Sequence, residues 1–136
     1  MSIDQTDIHA ALMARVESLS LLPSPTIVYP GYPASQDEYW MRVTHLPNVP
    51  DRSSLDGSTP LDHQGILQLD LMNELGRHEV VYIARAAEVV AHFPQTLRLT
   101  SATAVVKVEK SYSLQGRSTG DHWMQPVRVE YVVEAS

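Results

Sequence analysis

Cysteine is absent from the 136 residues. Disulfides, thiolate zinc sites, iron–sulfur clusters and cysteine nucleophiles are therefore excluded. A small chain without disulfides fits a reducing compartment. Long hydrophobic runs are missing too, and no stretch approaches the ~20 apolar residues of a membrane-spanning helix. The start, MSIDQTDIHA, has neither a basic n-region nor an apolar run, so no secretory signal is expected. Positive charge is scarce: 10 Lys and Arg stand against 16 Asp and Glu, a net charge of −6. That balance disfavours nucleic acid as the main partner, because phosphate binding needs a surplus of cations. What is present is an ordinary globular composition, 43% hydrophobic and 19% charged, which argues against disorder. At this length a single domain over residues 1–136 is expected, burying roughly two thirds of its unfolded surface.

Apolar periodicity sets the expected elements. Ile8, Leu12, Val16 and Leu19 recur at helical spacing, predicting an amphipathic helix over about 4–22, capped by Ser2 or Asp4 and stopped by Pro23 and Pro25. TIVY (26–29) is a short strand. YWMRVTHL then alternates, with Tyr39, Met41, Val43 and His45 opposite Trp40, Arg42 and Thr44. GILQLDLM repeats the pattern, with Leu67, Leu69 and Leu71 on one face, and pairs antiparallel with the preceding strand. Between them runs LPNVPDRSSLDGSTPLDHQG (46–65), a polar connection long enough to mark a working or binding loop. Helical period returns over 74–92, where Val80, Ile83, Ala84, Ala87, Val90 and Ala91 form the apolar stripe expected to face the core. TLRLT (96–100), TAVVKVEKS (103–111) and HWMQPVRVEYVVEA (122–135) read as strands, the last two flanking a second polar loop, SLQGRSTGD. In the last strand Val127, Val129, Tyr131 and Val133 share a face, and Pro126 should lie at an edge, a bulge or the strand's beginning. The order α-β-β-β-α-β-β-β predicts an α+β fold, a mostly antiparallel (mixed) sheet with both helices on one face.

No motif for catalysis emerges. The histidines at 9, 45, 63, 78, 92 and 122 show no HExxH spacing. Asp62-His63 and Asp121-His122 border the two polar loops; they would offer a metal site if they met, or are solvated loop ends if they did not. There is no GxSxG elbow and no glycine-rich phosphate loop. Gly65, Gly76 and Gly116 are isolated and read as turn or bulge residues. Trp40 and Trp123 are large anchors for a core or an interface. Arg52 and Arg117, one in each polar loop, are either solvated charges or interface contacts. No catalytic, cofactor-binding or metal-binding residue is assigned.

The ordered set of pieces resembles the small tail terminator, or tail completion, proteins of long-tailed bacteriophages. The pieces are the N-terminal helix, Tyr39–Val43 in YWMRV, His63–Asp70 in HQGILQLD, the alanine-rich Ala84–Pro94 ending in HFP, and Trp123–Tyr131 in WMQPVRVEY. Together they cover nearly the whole chain. The resemblance implies an α/β sandwich and a structural virion protein, with no reaction and no cofactor. It implies a homohexameric ring on the head-proximal end of the tail tube, which stops tube polymerisation and docks the head connector or neck proteins. DNA would pass through the ring without specific binding, no membrane would be involved, and assembly would take place in the host cytoplasm. The flexible, siphovirus type of tail is favoured. The interface residues expected on this basis are Asp51, Arg52, Ser53, Ser54, Leu55 and Asp56 in the first polar loop, with Arg117 and Asp121 in the second. Competing expectations are another ring-forming neck or tail protein (a head–tail connector or a tube subunit), a monomeric binding module, and a small metal-dependent hydrolase built on His63, His122 and nearby aspartates.

Overall fold

The computed structural model describes residues 5–21, 24–47 and 63–135. In chain order the elements are α1 (Gln5–Glu17), β1 (Thr26–Val28), β2 (Trp40–Pro47), β3 (His63–Asn73), α2 (Glu79–His92), β4 (Arg98–Thr100), β5 (Ala104–Ser113), β6 (Arg117–Ser118) and β7 (Trp123–Ala135). One mixed sheet runs β1-β2-β3-β7-β5-β4, with β6 added to β7. Only β1 and β2 are parallel. The predicted β2–β3 pair is present, in register from Trp40↔Met72 to Pro47↔Gly65. Every residue of β3 then pairs with β7, from His63↔Val133 to Asn73↔Trp123. Both helices pack on one face, α1 over β4 and β5 and α2 over β5 and β7. The α+β expectation is met, and β6 is an addition inside what the sequence reads as a loop.

The strand alternations decide which face is dry. Met41, Val43, Leu67, Leu69, Leu71, Val106, Val108, Val127, Val129 and Tyr131 are buried beneath the helices. Ile8, Leu12 and Val16 of α1 meet them, as expected from their spacing. That helix stops at Glu17, before the prolines. Ser18 N and Leu19 N turn back to Arg15 O (3.2 Å) and Val16 O (3.1 Å), tightening the last turn. Its carboxyl end is tied to that of α2. Arg15 donates from Nε (3.0 Å) and Nη2 (2.8 Å) to His92 O, and His92 Nε2 lies 2.9 Å from Arg15 O. The capping candidates Ser2 and Asp4 lie outside the described residues.

The helix over 79–92 corrects the sequence expectation. Its buried residues are Tyr82, Ala86 and Val89, followed by fully buried Phe93. Val80 (67% exposed) and Ile83 (51%) face outward, as do Ala84, Ala87 and Ala91, and only Val90 of the predicted stripe is partly buried. α2 carries two apolar stripes, and periodicity alone does not say which one meets the sheet. The aromatic Tyr82 and Phe93 settle it, since they bury more area than the alanines. The helix also begins at Glu79 rather than Glu74. Gly76 turns the chain at φ +91°, confirming the turn reading there, while Tyr82 Oη donates to Glu74 O (2.7 Å) and accepts from Arg77 N (3.1 Å).

Three further expectations change. Pro126 is buried within the central strand β7, and the one bond it cannot donate, to Leu114 O, is replaced by Gln125 Nε2 (2.8 Å). Its carbonyl accepts from Leu114 N (2.9 Å), so its missing N–H points to the same side, just beyond Ser113 where β5 ends. Gly65 is neither turn nor bulge but a paired residue of β3. Gly116 is a place of close approach, where a Cβ would collide with the Trp123 indole and the Gln125 amide. β5 also carries a bulge between Val108 and Lys110, after which Ser111 turns inward and donates to Phe93 O (2.7 Å) and Val90 O (3.2 Å).

Two substitutions separate the faces of α2. Phe93→Ala should lower unfolding free energy by about 3–5 kcal/mol, whereas Ile83→Ala should change it by no more than about 0.5 kcal/mol. Urea denaturation that ranked the two in the opposite order would turn the predicted stripe back toward the sheet.

Candidate functional site

The central ladder separates the two polar loops. The connection from β2 to β3 leaves the sheet beside Pro47 and His63, whereas Arg117 and Asp121 lie where Trp123 pairs with Asn73. His63 and Asn73 are ten residues apart on one strand, about 33 Å at the usual ~3.3 Å per residue. Asp62 lies outside the described residues, but the backbones of His63 and His122 are at opposite ends of the sheet. The two histidines therefore stand on opposite ends of the sheet backbone, far from the few ångströms a shared metal site needs. Among the described residues no group of three or more His, Asp or Glu is placed to hold a metal. Asp51, Arg52, Ser53, Ser54, Leu55 and Asp56 also lie outside the described residues.

Arg117 and Asp121 are exposed at the β6 end. Asp121 lines an open cavity of about 410 Å³ with Asp37, Glu38, Glu74, Arg77 and His122. His122 Nε2 is 3.1 Å from Asp37 O, and its ring stands edge-on to Trp40 at 6.2 Å. Trp40 is thereby a buried anchor, 5% exposed, on the sheet face away from the helices. Trp123 lies on the other face, stacked on Tyr82 at 5.4 Å. Beside it Arg85 joins α2 to the sheet. Its guanidinium reaches Asn73 Oδ1 (2.9 Å) and Glu74 (3.2 Å) and lies 4.3 Å from the Tyr39 ring centroid. Burial alone would raise the Glu74 pKa, but the Arg85 hydrogen bonds and charge hold it below the usual carboxylate value.

At the other end, sequence spacing missed a cluster of His9, His45, Gly65 and Tyr131. His9 Nδ1 and His45 Nδ1 are 3.0 Å apart, with the rings stacked, and His45 Nε2 lies 2.5 Å from Tyr131 Oη. A proton must be shared between the two Nδ1 atoms, so the contact requires at least one neutral imidazole. Gly65 makes room for this arrangement: a Cβ there would strike the Tyr131 ring and approach Leu46 O at 3.0 Å. The cluster borders an open cavity of about 400 Å³ lined by Thr6, His9, Pro30, His45 and Pro47. No pairwise spacing announces it, because its members come from one helix and three strands. The only prior signal was a glycine inside a strand pattern.

Charge is distributed unevenly across the two layers. The sheet face away from the helices carries Arg42, Arg98, Lys107, Lys110, Arg117 and Arg128, six of the ten Lys and Arg in the chain. Asp70 lies among them, its pKa raised because burial outweighs the Gln68 hydrogen bond and the Arg42, Arg117 and Arg128 charges. On the solvent side of α2 stand Glu79 and Glu88, and the helix's only Arg or Lys, Arg85, turns inward.

Across residues 7–131 the chain matches the family model described as phage tail terminator protein. The chain belongs to the phage tail terminator family. A structural role in a phage tail, and a place in the virion, follow from that membership. No curated protein matches. One solved structure superposes with a TM-score of 0.78 at 19% identity, covering 98% of this chain and 97% of that chain, which shows a shared fold. Among the described residues no helix is long and apolar enough to cross a membrane.

The histidine cluster makes the protein's stability pH-dependent. Burial, then the neighbouring His9, push the His45 pKa from 6.5 to about 4. A base whose folded pKa is depressed takes up its proton more readily when unfolded. Stability is therefore complete above pH ~6.5 and is lost as pH falls toward ~4. After allowance for solvent screening of this half-buried ring, the loss is about 1–2 kcal/mol. Urea midpoints of the native protein and His45→Gln, compared at pH 7 and 4.5, should show the smaller decline in the variant. Parallel declines would remove His45 as the cause.

Proposed function

We propose that the protein forms a homohexameric ring on the head-proximal end of the tail tube, stops tube growth and presents a docking surface to the head connector. The family match over 7–131 carries this reading. The sheet supports it physically. Both ends of the main strand order, β1 and β4, are only three residues long. Short edges discourage copy after copy from adding by strand pairing, which suits a component that ends a polymer rather than extends it. Contacts between copies then fall to faces and loops, arranged head to tail and closing by rotation. DNA passes through the lumen without specific binding, in keeping with a net charge of −6. The role needs no reaction or cofactor.

We further assign interface contacts to Asp51–Asp56, with Arg117 and Asp121. Because the two groups leave opposite ends of the sheet, they serve different neighbours: one the adjacent subunit, the other the tube or the connector. A tail tube subunit or a connector of the same neck is the second reading, which shares the structural tail role but not the terminator match.

Light scattering with electron microscopy across a range of concentrations should show discrete rings of about six subunits and no tubes. Long tubes would favour the tube subunit, and a strict monomer that does not bind purified tail tubes would sink the ring. Deletion of 51–60 should preserve the far-UV spectrum and unfolding midpoint while abolishing ring formation or tube capping. A deletion variant that caps tubes normally removes that loop from the interface.

A further inference from the structure

α2 is apolar on both sides, and only one of them is used. Val80, Ile83, Ala84, Ala87 and Ala91 fall at i, i+3, i+4, i+7 and i+11, a full-length helical stripe that faces outward. A helix that is apolar all round is ordinarily buried, and a contiguous exposed patch of this kind marks a contact surface. Three alanines in the stripe let a partner backbone or sheet come close.

The same molecule carries a surface that lacks a helix. Among the described residues, the sheet face away from α1 and α2 has no helix packed on it. In its middle is a shallow cavity of about 170 Å³ whose lining includes Ile66, Val132, Glu109 and Glu130. Ile66 and Val132 are half-exposed apolar residues on adjacent strands of that face. Nearest them on the sheet are Lys107, Lys110, Arg98 and Arg128, the Lys110 side chain 63% exposed and that of Arg98 54%, while Arg42 and Arg117 stand toward the β6 end. The α2 stripe is edged by Glu79 and Glu88, with no outward cation on the helix. Apolar centre therefore meets apolar centre. The sheet face also carries Asp70, Glu130 and Glu134, with Arg98 bridged to Glu134 (2.6 Å) and Lys110 to Glu130 (3.5 Å), so its six cations leave a net positive balance opposite the two outward glutamates of α2.

We infer that the outer stripe of α2 docks on the open sheet face of a second copy of this chain, with Ile83 seated near Ile66 and Val132. This rests on the ring reading above and names the surfaces that would build the ring. Charge selects this occupant over the simplest alternative. If α2 paired with α2 of another copy, Glu79 and Glu88 would meet their own counterparts, and like charges at close range oppose binding. Such a pair would also be isologous and close at two copies. Helix layer on sheet face uses opposite sides of each subunit, so it is heterologous, and rotation between copies closes it into a ring. Each copy supplies the layer the next one lacks, turning a two-layer unit into a continuous α/β wall.

The absence of native cysteine makes cross-linking a clean test. Full-length Ile83→Cys and Val132→Cys proteins are mixed under a mild oxidant and run on a non-reducing gel. A disulfide between the two variants is expected, and each alone should give at least tenfold less dimer. In parallel, Ile83→Asp should raise the concentration for half-assembly at least tenfold, while circular dichroism and the unfolding midpoint stay unchanged. Efficient self-linking of Ile83→Cys would overturn the proposal in favour of an α2–α2 pair. Rings from Ile83→Asp that fail only to cap tubes would overturn it by giving this face to the tube. Wild-type rings without the mixed cross-link overturn these surfaces and leave the ring standing, whereas absence of both rings and cross-link, with purified tail tubes present, overturns the ring reading as well.

Discussion

The β3–β7 ladder is the constraint on which the rest depends. Its unbroken register from His63↔Val133 to Asn73↔Trp123 places Leu67, Leu69 and Leu71 beside Val129, Val127 and Gln125 on the dry face. A slip of one residue would send every one of these side chains to the other side of the sheet. The same ladder fixes where function can lie. It holds Pro47 and His63, the strand ends that flank the β2–β3 connection, at one end and the β6 turn at the other, about 30 Å apart. It also carries the Gly65–Tyr131 pair, on which the His45 contact rests.

Polar interactions pin the layers that this ladder supports. Arg85 is the hub at one end, engaging Asn73 and Glu74 beneath the Tyr39 ring. Arg15 and His92 tie the helix ends together at the other side of the layer. Most of the remaining cations stay on the open sheet face. A phage tail component must be soluble as a free chain and adhesive in the assembled tail. An overall acidic chain whose cations gather on one sheet face is consistent with both, since net charge keeps copies apart while local charge can still select a partner surface.

Strand patterns were legible because period two leaves little ambiguity: the inward residues of β2, β3, β5 and β7 follow directly from alternation. The N-terminal helix was legible for its face but not its end, since Ser18 turns the chain before the prolines act. For α2 the face was misread, because two apolar stripes satisfy the same period and only packing area distinguishes them. Gly65 was misread because a missing side chain that accommodates a ring 66 residues later leaves no local trace. Pro126 was misread because a side-chain amide, Gln125 Nε2, serves the Leu114 carbonyl that a backbone N–H would have served, and that substitution leaves no mark in the strand pattern. The family's ordered motifs were visible, whereas the histidine cluster and the division of charge between layers exist only once the chain is folded.

The extra residue in β5 works as a phase shift. Strict alternation from Val106 and Val108 would carry Lys110 and Tyr112 under the helices. With the bulge between Val108 and Lys110, inward direction passes instead to Ser111, whose hydroxyl meets the carbonyls of Phe93 and Val90 at the end of α2, the latter shared with Phe93 N. Lys110 and Tyr112 emerge on the far side, where both reach Glu130. A single strand thus addresses a greasy core along its first half and a helix terminus along its second, and it does so by miscounting once.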